Sequence, residues 1–184
     1  GIPSRLIDLN SETRPLSELL MQLVSSETHV ISFHFSDVIS QQDIDAIIET
    51  EEIVRQLQKY DASIAPLFTA GGRIASFIAE ELLENIPPLD FIIIRQFSFV
   101  LNELVNNLAP FTAKADKMKV ISQSPNNYYR DLTGRVRFTY EADIKADYLQ
   151  VAGASYLNEI DYAAYWNKAP PLSQLHFRDL IFAS

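Results

Sequence analysis

The three histidines, His29, His34 and His176, are the first residues to consider for catalysis or metal binding. No two of them have the H-x-x-x-H or H-E-x-x-H spacing that places two imidazoles on one helix face. The chain contains no Cys, so no thiolate is present to complete a zinc site or to act as a nucleophile. We therefore expect no metal site, no cofactor and no catalytic residue, and we expect His34 to lie in a strand.

The glycine-dependent motifs of common enzyme classes are also missing. The chain has 5 Gly residues and contains no G-x-S-x-G turn, no G-x-x-x-x-G-K-[ST] loop and no G-x-G-x-x-G sequence. These motifs provide the nucleophile turn of serine hydrolases and the phosphate-binding loops of P-loop and dinucleotide-binding proteins. A binding function is therefore more expected than an enzymatic one.

A cluster of tyrosines and arginines is the strongest candidate for a binding surface. It consists of Tyr128, Tyr129, Arg130, Arg135 and Arg137. Tyr and Arg dominate the energetic centres of protein interfaces because they provide a large contact area and several hydrogen bonds. In an acidic chain, this local positive charge would attract an acidic protein or a second copy of the chain. The alternative is a β-hairpin whose tyrosines cover the sheet edge and whose arginines are solvated.

The function predicted from this cluster is protein–protein interaction or assembly without catalysis, in a homo-oligomer or a larger complex. Tyr162, Tyr165 and Trp166 form another aromatic group, which we assign to the core, although a terminal aromatic helix can also bind a partner. An alternative function is small-ligand binding in a pocket between sheet and helices. His34 and the tyrosines would then supply the few polar contacts of that pocket.

A further alternative rests on the sequence FVLNELVNNL at residues 99–108. It resembles the helix with which histidine-kinase-type ATPases, the family of the gyrase, chaperone and sensor-kinase ATP domains, hold Mg²⁺. In that helix a Glu precedes by four residues an Asn that coordinates Mg²⁺ beside the phosphates. The resemblance implies these roles for Glu103 and Asn107. The family's glycine-rich segments have no counterpart, because only two glycines follow this helix, so the resemblance implies a degenerate ATP-binding domain.

Charge and length exclude other classes of protein. The chain has 184 residues, with 15 Lys and Arg against 24 Asp and Glu, and a net charge of -9. Sequence-independent binding of nucleic acid requires many basic side chains, so we expect no nucleic-acid partner. The length and the 47% hydrophobic content allow a core that needs no disulfide. No apolar run approaches the roughly 20 residues of a membrane span, and the first residues do not resemble a secretory signal, so we expect a cytoplasmic protein.

The spacing of apolar residues predicts the elements that carry these candidates. Helical spacing begins at Leu16, and the sequence HVISFHF around His34 favours a buried strand. Ser40 followed by Asp43 resembles a capping box and predicts the start of a long helix. The predicted helices are 16–24, 40–60, 73–85, 91–108 and 159–166, and the predicted strands are 29–35, 119–122, 135–141 and 148–156.

This order of elements predicts an α+β fold, with helices packed on one face of a mostly antiparallel sheet. We expect an irregular N-terminal segment at residues 1–15 and a single domain at residues 16–184. Five residues of the long helix are expected to face the core: Ile44, Ile47, Ile48, Val54 and Leu57.

Overall fold

The structure, a computed structural model, describes residues 3–9, 12–35, 38–94, 97–142 and 178–183. Within these residues, helices and strands alternate over most of the chain. The strands are β1 (Ser4–Asp8), β2 (Val30–Phe35), β3 (Leu67–Gly71), β4 (Phe91–Ile93), β5 (Asn127–Arg130), β6 (Val136–Phe138) and β7 (Arg178–Ala183). The helices are α1 (Leu16–Leu23), α2 (Gln41–Gln58), α3 (Arg73–Phe77), α4 (Ala79–Asn85), α5 (Phe97–Leu108) and α6 (Lys114–Gln123).

The described strands form one mixed sheet in the order β1-β7-β2-β3-β4-β5-β6. The neighbours β2, β3 and β4 are parallel, and every other neighbouring pair is antiparallel. The predicted α+β class and the predominance of antiparallel pairing are therefore confirmed. The three parallel strands are connected by helices, as parallel neighbours must be.

The helices cover both faces of the sheet, whereas the sequence analysis expected them on one. On the face that we call the first face, Ile31 and Phe68 pack with residues of α1, α2, α3 and α4. On the second face, Val30, Leu67 and Phe91 pack with residues of α5 and α6. Parallel strands are apolar on both sides, because neighbouring side chains alternate between the faces, and both sides must then be covered.

Several predicted elements are confirmed. The first helix, the strand around His34 and the long helix appear as α1, β2 and α2. Ser40 caps α2 with a complete capping box: its hydroxyl accepts from the Asp43 N–H at 3.3 Å, and its N–H donates to the Asp43 carboxylate at 2.7 Å. The predicted strand 135–141 is shorter than expected and appears as β6.

Other predicted elements are wrong. The expected irregular N-terminal segment contains β1, which pairs with β7. The predicted helix 91–108 begins with β4, and the predicted strand 119–122 lies inside α6. The predicted helix 73–85 is divided into α3 and α4 at Ile78, whose φ of -119° is not helical. The predicted strand 148–156 and helix 159–166 lie outside the described residues.

The core face of α2 is confirmed with one correction. Ile47 and Val54 are buried, and Ile44 and Leu57 pack against the core with partial exposure. Ile48, which we expected in the core, is 47% exposed. Adjacent residues are about 100° apart around a helix, so the face that buries Ile47 turns Ile48 toward solvent.

None of the helices in the described ranges combines the length and the apolar character that crossing a membrane would require.

Candidate functional site

The parallel strands β2, β3 and β4 end at the same edge of the sheet, which we call the carboxyl edge. At this edge β3 ends in Gly71, and the following Gly72 has a φ of 99°, a conformation that favours glycine. A Cβ atom at Gly72 would overlap the carbonyl oxygen of Phe35, the last residue of β2. The glycine therefore allows the turn after β3 to lie directly against the end of β2.

Polar residues occupy the second face near this edge. Ser32 of β2 lies opposite Thr69 of β3, and both are 0% exposed. Two residues farther along β2, His34 lies opposite Gly71. On β5, Asn127 lies opposite Ile93 and is also 0% exposed. We call Ser32, His34, Thr69 and Asn127 the polar patch, since alternation along the strands places all four on the second face.

Two buried oxygen atoms of the polar patch have no hydrogen-bond partner among the described residues. They are the Ser32 hydroxyl oxygen and the Asn127 side-chain oxygen. The Asn127 amide nitrogen donates to the carbonyls of Ser124 at 3.2 Å and Pro125 at 2.9 Å, which fixes the side chain. Most buried polar atoms in folded proteins are paired, and an unpaired one costs about 1–3 kcal/mol. These two atoms therefore have unused capacity to accept hydrogen bonds.

Asn126 holds the backbone at the carboxyl edge next to this patch. It is 1% exposed and has a φ of 60°, which Asn tolerates better than most residues. Its side-chain amide donates to the Ala142 carbonyl at 2.9 Å and accepts from the Ala142 N–H at 3.0 Å. Its backbone accepts from the Ile94 N–H at 3.0 Å and donates to the Tyr140 carbonyl at 2.8 Å. One residue thus joins the ends of β4 and β6.

The opposite edge carries a cluster of charged groups. Lys117 is 1% exposed, and its ammonium donates to the Ala65 carbonyl at 2.7 Å. Lys114 pairs with Asp90 at 2.8 Å, and Asp90 also accepts from the Phe68 N–H at 2.9 Å. Burial raises the pKa of Asp90, although Lys114 opposes this effect.

A surface cavity of about 230 Å³ lies between the N-terminal ends of α1 and α2. Glu12 and Arg14 at its mouth form an ion pair at 2.9 Å, and hydrogen bonding to Arg14 lowers the pKa of Glu12 to about 2. Asp43, which also lines the cavity, is engaged in the cap of α2. Because these groups are already paired within the chain, the cavity is a weaker candidate than the polar patch.

The structure brings the five residues of the tyrosine–arginine cluster together on β5, β6 and their turn, which we call the edge hairpin (residues 127–138). Three of them contribute to the fold. Tyr128 packs against the first-face core with its ring 4.9 Å from that of Phe138, and Tyr129 packs against the second-face core. Arg130 donates to the carbonyl of Leu83 in the last turn of α4, and to that of Gly134 at 3.3 Å.

Arg135 and Arg137 are exposed, and Asp131 in the turn forms hydrogen bonds with both. Asp131 accepts from the Arg137 side chain at 3.1 Å and from the Arg135 N–H at 3.0 Å. The same carboxylate accepts from the Thr133 hydroxyl at 2.6 Å, and these bonds hold the pKa of Asp131 well below its usual range. Leu132 and Tyr140 are also exposed here, at 78% and 51%, and were not predicted from the sequence to contribute to this surface.

The pair proposed to hold Mg²⁺, Glu103 and Asn107, lies on the exposed side of α5, away from its buried apolar residues. The pair with the same spacing on α4, Glu81 and Asn85, forms an internal bond, in which the Asn85 side chain donates to the Glu81 carbonyl at 2.7 Å. No group of three or more His, Asp or Glu side chains suited to a metal ion occurs in the described ranges.

The histidines have separate positions. His29 precedes β2 at the charged edge, and its pKa is lowered by burial and by the charge of Lys117. His34 belongs to the polar patch, as described above. His176 and the aromatic group Tyr162, Tyr165 and Trp166 lie outside the described residues.

Comparison with known proteins adds one likeness in fold. No family model matches the chain, and no curated protein matches it. A solved structure of the cobalamin-dependent S-adenosylmethionine radical enzyme OxsB, with aqua-cobalamin and S-adenosylmethionine bound, is similar with a TM-score of 0.50 and 20% sequence identity. The likeness covers 75% of this chain and 17% of the OxsB chain. This chain is therefore similar in fold to a small part of a much longer enzyme.

Proposed function

We propose that this chain is a small-ligand-binding domain whose site is the polar patch at the carboxyl edge. The observation that carries the proposal is the pair of buried, unpartnered oxygens of Ser32 and Asn127 on one sheet face. Open sheets with parallel strands bind ligands outside the carboxyl ends of those strands. A ligand with hydrogen-bond donors would satisfy both oxygens and remove the cost of leaving them buried without a partner.

The likeness to OxsB suggests which ligands to test first. That enzyme was solved with aqua-cobalamin and S-adenosylmethionine bound. Cobalamin carries several amide side chains, and their N–H groups are suitable donors to the Ser32 and Asn127 oxygens. A bound corrinoid would supply a redox-active cobalt ion, and Ser32 and Asn127 would only hold and orient the group. In this proposal the chain is itself non-catalytic and holds the ligand for a larger enzyme.

Titration of the purified chain tests the proposal. We expect saturable binding of aqua-cobalamin or S-adenosylmethionine by calorimetry, and no measurable binding of ATP with Mg²⁺. Replacing Ser32 by Ala removes the hydroxyl and adds no atom to this fully buried position. We expect the affinity to fall by about tenfold, the equivalent of one hydrogen bond to a buried group.

Thr50→Val is the matched control. Thr50 is also 0% exposed, but it lies on α2 and its hydroxyl is satisfied by the Ala46 carbonyl at 2.7 Å. This variant should retain wild-type affinity. Failure of both ligands to bind would contradict the proposed ligand class, and equal losses in the two variants would contradict the assignment of the site. Binding of ATP with Mg²⁺ that is lost in Asn107→Ala would instead support the ATP-binding alternative.

We also propose that the edge hairpin is an interaction surface for a protein partner or for a second copy of the chain. The specific support is its exposed apolar area, with Leu132 78% exposed and Phe138 39% exposed, beside the exposed Arg135 and Arg137. Apolar area next to arginine is typical of interface centres. A cytoplasmic location and the absence of a nucleic-acid partner remain predictions from composition.

The variant that tests this surface avoids residues that hold the fold. Because Tyr129 and Arg130 are structural and the Phe138 ring packs on Tyr128, we choose Leu132→Ser with Arg135→Ala, and we take Tyr60→Ser as the control for an exposed residue elsewhere. By ultracentrifugation the double variant should dissociate at least tenfold more readily than the control. A wild type that is monomeric and recovers no partner would contradict the proposal.

A further inference from the structure

The outer side of helix α2 combines exposed acidic residues with an exposed apolar one. Asp45, Glu49 and Glu52 follow one another at intervals of four and three residues, so they lie on one side of the helix. Ile48, which is 47% exposed, lies on the same side. Within the part of the chain that the structure describes, neither Glu49 nor Glu52 forms a salt bridge. We call these four residues the acidic face of α2.

The edge hairpin presents the opposite charge beside an exposed apolar residue. Arg135 and Arg137 are two positions apart in extended backbone, so they lie on the same side of the hairpin. Arg137 pairs with Asp131, whereas the Arg135 guanidinium has no hydrogen bond or ion pair to another described residue. Leu132, in the turn between the two strands, is 78% exposed.

The spacing of the charges on the two surfaces is similar. Residues three apart on a helix, such as Glu49 and Glu52, have Cβ atoms about 5–6 Å apart. Residues two apart on a strand, such as Arg135 and Arg137, are about 7 Å apart. An arginine side chain is long and flexible enough to cover this difference, so two arginine–glutamate pairs can form at once.

The acidic face and the edge hairpin cannot meet within one molecule, because they lie on opposite sides of the sheet. Helix α2 packs on the first face through Ile47 and Val54, so its acidic face turns away from the sheet. Arg137 lies opposite Tyr129, which packs on the second face, so the two arginines lie on that side. A contact between the two surfaces therefore requires two molecules.

Resting on the proposed role of the edge hairpin in protein interaction, we propose that the hairpin of one molecule binds the acidic face of α2 on a second copy of this chain. Opposite charges orient the two surfaces, and contact between Leu132 and Ile48 removes apolar area from water. Copies with a net charge of -9 otherwise repel one another, so association is favoured where the basic surface of one meets the acidic surface of the other. Because the two surfaces face opposite directions, copies add head to tail and assembly continues beyond a dimer.

Ultracentrifugation of the purified chain and of charge-reversed variants tests this contact. The wild type should form species larger than a dimer, and raising the salt concentration from about 0.05 M to about 0.5 M should weaken the association several-fold. Arg135→Glu should weaken it by about tenfold or more, and so should the separate double variant Glu49→Lys with Glu52→Lys. Mixing these two variants should restore association, because each carries a surface complementary to one on the other.

Glu27→Lys with Glu103→Lys is the matched control. Both residues are exposed and lie outside the two surfaces, and the change in net charge equals that of the α2 variant, so this control should assemble at least as well as the wild type. An α2 variant that assembles like the control, or mixed variants that do not associate, would overturn the proposal. If Leu132→Ser with Arg135→Ala loses assembly in that case, the edge hairpin remains an interface and the α2 surface alone is excluded. A monomeric wild type would overturn both.

Discussion

The two faces of the sheet differ most where the parallel strands end. On the first face the residues near the carboxyl edge are Phe33, Phe35 and Ala70, which are buried among the helices α1 to α4. On the second face the same stretch of strand carries Ser32, His34 and Thr69, and apolar packing resumes toward the other edge at Val30 and Leu67. The first face therefore contributes stability along its whole length. The second face is apolar over the half toward Val30 and Leu67, and its other half carries the polar patch.

The largest loss of stability is expected from a substitution at Gly72, because the turn there brings the ends of β2 and β3 together. Gly72→Ala would place a Cβ atom on the Phe35 carbonyl in a backbone conformation that only glycine adopts easily. We expect a loss of about 3 kcal/mol or more in the free energy of unfolding, measured with urea. Gly134→Ala is the control, since its φ is 82° but no atom lies within 4 Å, and it should cost about 1 kcal/mol.

A substitution in the core of the first face should cause the next largest loss of stability. Ile47→Ala removes a side chain that is 0% exposed and should lower the free energy of unfolding by about 2 to 5 kcal/mol. Ile48→Ala, at the neighbouring position that is 47% exposed, should change it by about 0.5 kcal/mol or less. Thermal melts of the two variants compare the buried side of α2 with its exposed side. Similar losses in both would mean that this helix is not oriented as described.

A substitution in the edge hairpin should cause a smaller loss of stability, and the size of this loss should depend on pH. Asp131→Asn removes the charge that accepts from Thr133, Arg135 and Arg137. The pKa of Asp131 is lowered in the folded chain, so its contribution to stability is present above the ordinary value of 3.8 and is lost as pH falls below it. The variant should melt below the wild type at neutral pH and approach it in strong acid. A difference in melting temperature between variant and wild type that is the same at all pH values would contradict this prediction. Asp45→Asn, which changes an exposed carboxylate on α2, is the control.

Strand β2 and helices α1 and α2 were predictable because their local sequence signals are unambiguous. Helix α2 combines a capping box at Ser40 with regular apolar spacing, and β2 is short and rich in β-branched and aromatic residues. Strands β3 and β4 were missed for a physical reason. They are buried on both faces, so they lack alternation, and a short apolar run such as Phe91–Ile93 cannot be distinguished from the start of a helix. Within α6, Val120 and Ile121 are β-branched, but packing of the whole helix overrides that local preference.

The candidate site was only partly predictable. His34 was recognised as a possible polar contact between sheet and helices, but Ser32, Thr69 and Asn127 are common residues in an ordinary context. What makes them candidates is their register: Ser32 lies opposite Thr69, and both are buried. Register between β2 and β3 depends on pairing between residues 37 positions apart, and no local pattern encodes it. The tyrosine–arginine cluster, by contrast, could be identified from the sequence. Which of its members support the fold and which are exposed is seen only in the structure of the edge hairpin.

The smallest expected change in stability tests the central claim most directly. If the Ser32 hydroxyl is buried without a partner, Ser32→Ala should leave the free energy of unfolding of the ligand-free chain unchanged, or raise it by about 1 kcal/mol, because an unsatisfied polar atom is removed. Urea unfolding monitored by circular dichroism measures this value. A decrease of about 1 kcal/mol or more would show that the hydroxyl is already engaged in the folded chain, and would contradict its assignment to a ligand.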